Sequence, residues 1–172
     1  FLKGGAAVVS GKGDIIEAIP PRVDFGVLLL YPGFGISTKW AYDALDSFRQ
    51  GKGKRKAIED KQPDEKAKKK SLAGSFAEGV ETWKFSNAFS PMLHAAFPVY
   101  KNLETMVREA GARYVSITGS GSCLYGIFRT VSEASAAKEK LQVSLNRQNA
   151  TKTLYGMALH VVKPLETSLL LG

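Results

Sequence analysis

The stretch Ile117-Thr118-Gly119-Ser120-Gly121-Ser122-Cys123-Leu124-Tyr125-Gly126-Ile127-Phe128 holds the residues best suited to chemistry. Small residues sit between two apolar runs, a pattern that predicts strand, tight glycine turn, strand. Gly119 and Gly121 tolerate positive φ angles and leave room for a ligand beside the backbone. Ser120 and Ser122 add hydroxyls next to amides that such a turn exposes. A turn of this kind can hold a phosphate or a polar substrate. It can equally be a plain hairpin turn, as most glycine turns between strands are, and spacing alone leaves both readings open.

Other reactive side chains are sparse. Cys123 is the single cysteine, so no intrachain disulfide can form. That fits a reducing compartment. Its place in an apolar run predicts a small buried side chain rather than a nucleophile. The two histidines, His94 and His160, are far apart in sequence. No tight ligand spacing surrounds them, so no metal site is expected.

The 172 residues suffice for one well-buried domain or two small ones. Hydrophobic residues make up 44% and charged residues 23%, ordinary for a globular protein. No apolar stretch approaches the ~18 residues of a membrane helix. The chain starts with Phe1 rather than Met, shows no signal peptide, and reads as trimmed or partial. The net charge of +8 is concentrated: residues 49–71 carry ten Lys/Arg against four Asp/Glu. The excess describes a local insert, 50–71, rather than the fold. Clustered lysines bind phosphates nonspecifically. The insert lacks aromatics to stack on bases, which favours a solvated loop or loose helix over a nucleic-acid site.

Elements that would position the glycine turn can be read along the chain. Gly4 to Ser10 and Ile15 to Ile19 predict a hairpin around Gly11-Lys12-Gly13-Asp14. Phe25 to Tyr31, almost wholly apolar, predicts a central strand buried on both faces. Pro32-Gly33-Phe34-Gly35 ends it. Ser37 or Thr38 then caps a helix over 38–49, with Trp40, Ala41, Ala44, Leu45 and Phe48 toward the core. A helical turn is expected over 71–79. A helix capped by Ser86 or Asn87 follows to Ala96, and another runs from Pro98 to Ala110, closed by Gly111. Strands are expected at 114–118 and 123–128. A helix capped by Ser132 buries Ala134, Ala137, Leu141 and Leu145, and a last strand spans 153–162. From Phe25 onward this order predicts an α+β, ferredoxin-like split β-α-β plait, helices on one side of an antiparallel sheet, with an extra N-terminal hairpin.

Three stretches resemble the GHMP superfamily of small-molecule kinases, in its C-terminal domain. Phe1-Leu2-Lys3-Gly4-Gly5-Ala6-Ala7 followed by Gly11-Lys12-Gly13-Asp14 is similar to the family's FFL-GG-A…G-GE segment, with Asp14 in place of Glu. Tyr31-Pro32-Gly33-Phe34-Gly35-Ile36-Ser37-Thr38 is similar to P-G-x-x-I-x-T. Thr118-Gly119-Ser120-Gly121-Ser122-Cys123 is similar to the third motif, T-G-[ST]-G-[AS]-C. The P-G-x-x-I-x-T stretch narrows the resemblance to the branch acting on 4-diphosphocytidyl-2-C-methyl-D-erythritol.

The resemblance implies a two-domain cytoplasmic enzyme of non-mevalonate isoprenoid (terpenoid) synthesis. With ATP and magnesium it would phosphorylate the substrate's 2-hydroxyl. Positioning and charge stabilisation dominate such chemistry. On this reading residues 1–172 are the substrate-side domain, and the N-terminal ATP-binding domain is absent. The family's catalytic Asp would fall just ahead of Phe1 and its Lys further upstream. The chain would then hold no catalytic residue and be inactive alone. Its own share would be substrate binding through Thr38, Lys39 and Tyr42, with the cleft loop Thr118, Gly119, Ser120, Gly121 and Ser122. Tyr42 falls where the family stacks an aromatic on cytosine, although a partly buried helix position would also explain it. Lys39 stands where the family often has Pro, and either approaches the diphosphate or points to water. The implied partners are a cytidine diphosphate substrate and the missing domain, not nucleic acid or a membrane. A homoserine or mevalonate kinase, and a basic RNA-binding plait, are the alternatives.

Overall fold

The computed structural model describes residues 5–53, 72–149 and 156–165. Four strands form an antiparallel sheet: β3 (Gly26–Tyr31), β4 (Tyr114–Ile117), β5 (Leu124–Phe128) and β6 (Ala158–Val162). Their order is β4-β5-β3-β6. That is the split β-α-β plait expected from the sequence. A separate hairpin pairs β1 (Ala6–Ser10) with β2 (Ile15–Ile19). The Asp14 carboxylate accepts from the Lys12 amide at 2.8 Å and closes that turn.

Helices cover one face of the sheet: α1 (Thr38–Gly53), α3 (Ser90–Ala96), α4 (Val99–Glu109) and α5 (Val131–Asn149); a short helix, α2, spans 72–77. Leu28 and Leu30 of β3, Val115 and Ile117 of β4, and Leu124 and Phe128 of β5 pack on this layer. Ala41, Leu45, Leu93, Tyr100, Leu103, Ala134, Ala137, Leu141 and Leu145 meet them from the helices. Burial of this contiguous apolar surface is the main stabilising term, at about 25 cal/mol per Å² removed from water.

Strand β3 is central but not buried on both faces. Val27 and Leu29 are half-buried and Tyr31 is exposed, because only part of the second face is covered. That cover is the segment around Trp83 and Phe85, which packs with Phe25, Tyr114 and Ile127. Arg22 fastens it. Its guanidinium donates to both Asp24 carboxylate oxygens at 2.8 and 2.6 Å and to the carbonyls of Phe76 and Glu78. It also lies over the Phe25 and Trp83 rings.

Several helix starts differ from expectation. Helix α1 runs to Gly53, into the start of the basic insert; the rest of the insert, 54–71, lies outside the described residues. Trp40 is 41% exposed and makes an edge-to-face ring contact with Phe97. Helix α3 begins at Ser90 because Pro91 suits a first turn. Asn87 accepts from the Phe89 amide at 2.9 Å and closes the turn that enters this helix, just ahead of its first residue. Thr130, not Ser132, caps α5: its hydroxyl accepts from the Glu133 amide at 3.1 Å, and Glu133 reaches back to the Arg129 amide at 3.2 Å. This reciprocal pair satisfies otherwise orphaned donors. Cys123 is half-buried rather than buried. The part of the expected last strand over 153–155 lies outside the described residues.

Candidate functional site

Strand β3 ends at Pro32, which has no amide to donate, and the chain turns through Gly33 at φ 86°. Ser37 caps α1, its hydroxyl accepting from the Trp40 amide at 3.4 Å. Thr38 therefore stands in the first turn with its side chain in solvent. The Thr38 and Ser120 hydroxyl oxygens are 3.3 Å apart. Two segments distant in sequence thus meet at one spot.

Tyr42 lies one turn beyond Thr38 on the same face of α1. It is 56% exposed, so the core does not claim its ring. Phe89 supports it edge-on, with ring centroids 5.0 Å apart and planes at 88°. Lys39 points to water and pairs with Asp43 at 3.0 Å. Both groups are well exposed, so this is a weak surface pair.

The glycine turn is held tightly from beneath. The Thr118 amide donates to the Cys123 carbonyl at 2.8 Å, and the Gly121 amide to the Thr118 carbonyl at 2.9 Å. The buried Tyr100 hydroxyl donates to the Ser122 carbonyl at 3.0 Å. Burial pushes the Tyr100 phenol up to about 12. Ser122 is itself buried. Gly121 has φ 94°, and a Cβ there would sit 2.9 Å from Ile36 Cδ1. Gly119, at φ 49°, faces open space. Among the described residues the amides of Gly119 and Ser120 donate to no protein acceptor.

Asn87, Phe89 and Tyr100 were not singled out for a site by sequence reading. Asn87 donates from Nδ2 to the carbonyls of Ile117 and Gly119, both at 2.8 Å, and accepts from the Phe89 amide at 2.9 Å. Beside the turn lies a cavity of about 480 Å³ whose lining includes Phe85, Asn87, Phe89, Tyr114, Thr118 and Tyr125. Burial also raises the Tyr125 phenol above its ordinary value. His94 is 2.8 Å from Glu104; His160 lies exposed on β6. Among the described residues no three His, Cys, Asp or Glu side chains come together as a metal site. No described helix is long and apolar enough to cross a membrane.

Residues 72–146 match the family model for the GHMP kinases C terminal domain. A 4-diphosphocytidyl-2-C-methyl-D-erythritol kinase from Chlorobium chlorochromatii is 31% identical over 153 residues, covering 89% of this chain and 49% of that protein. One from Prosthecochloris aestuarii is 30% identical over 159 residues, covering 92% and 52%. The chain spans about half the length of the curated relatives it matches. Among solved structures, homoserine kinase from Cytophaga hutchinsonii superposes with a TM-score of 0.63 at 15% identity, over 96% of this chain and 49% of that one. A 4-(cytidine 5'-diphospho)-2C-methyl-D-erythritol kinase superposes at 0.56 with 20% identity, over 92% and 50%. These two likenesses speak for the fold alone. The family model, the sequence relatives and the plait agree that the chain holds a GHMP kinase C-terminal domain over residues 72–146.

Proposed function

We propose that residues 1–172 form the substrate-side domain of a kinase that phosphorylates the 2-hydroxyl of 4-diphosphocytidyl-2-C-methyl-D-erythritol, with ATP as donor. The approach of Thr38 to Ser120, with the exposed Tyr42 one turn away, carries this reading. Tyr42 offers a face for the cytosine ring. Gly119 and Ser120 offer amides to diphosphate oxygens, and Thr38 a hydroxyl. Thr118, Gly121 and Ser122 hold the turn in shape. Lys39 stands at the rim, paired with Asp43, and would have to leave that pair to meet the diphosphate. The sequence relatives favour this substrate over homoserine or mevalonate.

ATP and magnesium belong to the reaction, and this chain supplies only part of their surroundings. The glycine turn's amides fit phosphate oxygen, whereas the described residues hold no carboxylate group fit for a metal. Magnesium would supply charge neutralisation on the transferred phosphoryl group from a site built elsewhere in the protein. The catalytic Asp and Lys and the ATP-binding domain are likewise contributed by polypeptide outside these residues. The protein acts in the cytoplasm, in isoprenoid synthesis, on a small molecule rather than on nucleic acid.

The test is an assay of the 172-residue chain with substrate, ATP and magnesium, alongside binding titrations. Saturable substrate binding without turnover is expected. Turnover by the chain alone would refute the division of labour. Tighter binding of homoserine or mevalonate would refute the substrate.

A further inference from the structure

We propose that Asn87 is a positioning residue for phosphate recognition: it sets the direction in which the Ser120 amide faces. This rests on the substrate reading above and goes beyond it, since Asn87 lies in a different segment from the turn it controls. Its side-chain amide is fixed at both ends. Oδ1 accepts from the Phe89 amide at 2.9 Å, which leaves Nδ2 as the donor toward the turn. Nδ2 then spans the carbonyls of Ile117 and Gly119, each at 2.8 Å.

The consequence follows from peptide planarity. In a trans peptide the carbonyl and the next amide point opposite ways. The Gly119–Ser120 bond is trans. With the Gly119 carbonyl held by Asn87, the Ser120 N–H is turned away from Asn87. By the same rule, the Ile117 carbonyl held by Asn87 turns the Thr118 amide toward its partner, the Cys123 carbonyl. The Thr118 carbonyl, taken by the Gly121 amide, turns the Gly119 N–H outward. Gly119 and Ser120 are thus left as two successive donors without protein acceptors among the described residues. Their ligand class is an anionic oxygen, such as a diphosphate. Without Asn87 the Gly119 carbonyl is released, and Gly119 has the freedom to rotate that peptide, presenting a carbonyl where the anion needs a donor.

The segment carrying Asn87 continues from the one that Arg22 fastens. Asn87 therefore works from a fixed base. An aspartate at this position keeps the acceptor for the Phe89 amide but loses the donor, so it separates the two jobs of the side chain.

The experiment is a titration of the isotope-labelled 172-residue chain with cytidine 5'-diphosphate and with uncharged cytidine, followed by amide resonances and thermal unfolding. For Asn87→Ala we expect displaced Gly119 and Ser120 resonances in the free chain and cytidine diphosphate affinity lowered by about ten-fold, the scale of lost charge-assisted hydrogen bonding. Cytidine affinity should stay within about two-fold by the same reasoning, since the base does not meet these amides. Unchanged turn resonances and diphosphate affinity in a folded variant would overturn the proposal, as would an equal loss for cytidine. Should Asn87→Ala fail to fold, the free-chain resonances of Asn87→Asp decide: displaced Gly119 and Ser120 signals support it and unmoved ones overturn it. If the unaltered chain binds no cytidine diphosphate, the substrate reading falls. The free-chain resonances of the variants still decide the role of Asn87.

Discussion

The hydroxyl oxygens of Thr38 and Ser120 lie 3.3 Å apart although 82 positions separate them in sequence. Strand β3 pairs with β5, and this pairing brings the N-terminus of α1 beside the turn that precedes β5. The sheet thus assembles one polar surface from two motifs. Neither hydroxyl is needed by the core, and a ligand that accepts or donates between them can replace their mutual contact.

Thr38→Val tests that surface. The side chain is exposed, so stability should change by no more than about 0.5 kcal/mol. Substrate affinity should fall by roughly ten-fold, as for loss of a hydrogen bond at a polar site. Thr38→Ser should retain most of it. Titration calorimetry of the three proteins gives the comparison.

Tyr42 supplies a flat face with Phe89 packed edge-on against it. Replacing it with Ala should weaken substrate binding by about 1–3 kcal/mol, the worth of one base–aromatic stack. Tyr42→Phe should bind nearly as the parent does. A loss for Tyr42→Phe as large as that for Tyr42→Ala would show that the hydroxyl, not the ring, is used.

The two glycines of the turn should behave differently. Gly121→Ala combines φ 94° with a Cβ 2.9 Å from Ile36 Cδ1, and should lose about 1–3 kcal/mol of stability. Gly119→Ala has open space and a φ near the left-handed helical region, so its cost should be about 1 kcal/mol. Urea unfolding of both variants measures the contrast.

Tyr100 makes the turn sensitive to strong alkali. Its phenol is held up to about 12 by burial, against an ordinary value of 10.0. An acid whose folded pKa is raised stabilises the fold fully below the unfolded pKa. That contribution is lost as pH rises from the unfolded value through the folded one. Stability should therefore decline from about pH 10 toward pH 12. Absorbance titration of the protein against Tyr100→Phe isolates this phenol. If its signal titrates with the exposed tyrosines, the buried contact to the Ser122 carbonyl is wrong.

The plait was legible because β3, β5 and α5 carry apolar periods that match their elements, and because proline and glycine mark their ends. The turn at Gly119 and Gly121 was legible as a turn, since few other sequences reverse between two apolar runs. Its supports were not. Asn87 and Tyr100 act on backbone carbonyls, and a carbonyl leaves no trace in the sequence. Trp40 misled because helical spacing gives the side of the helix but not where the core stops. Ser132 misled because Thr130 with Glu133 offered a better reciprocal cap two residues earlier than expected.

The most direct measurement is calorimetric titration of this chain with 4-diphosphocytidyl-2-C-methyl-D-erythritol, homoserine and mevalonate, repeated on Thr38→Val and Tyr42→Ala. Saturable binding of the cytidine compound alone, weakened by both substitutions, is the predicted result. Binding of homoserine or mevalonate at least as tight, or cytidine-compound binding untouched by both substitutions, would contradict it.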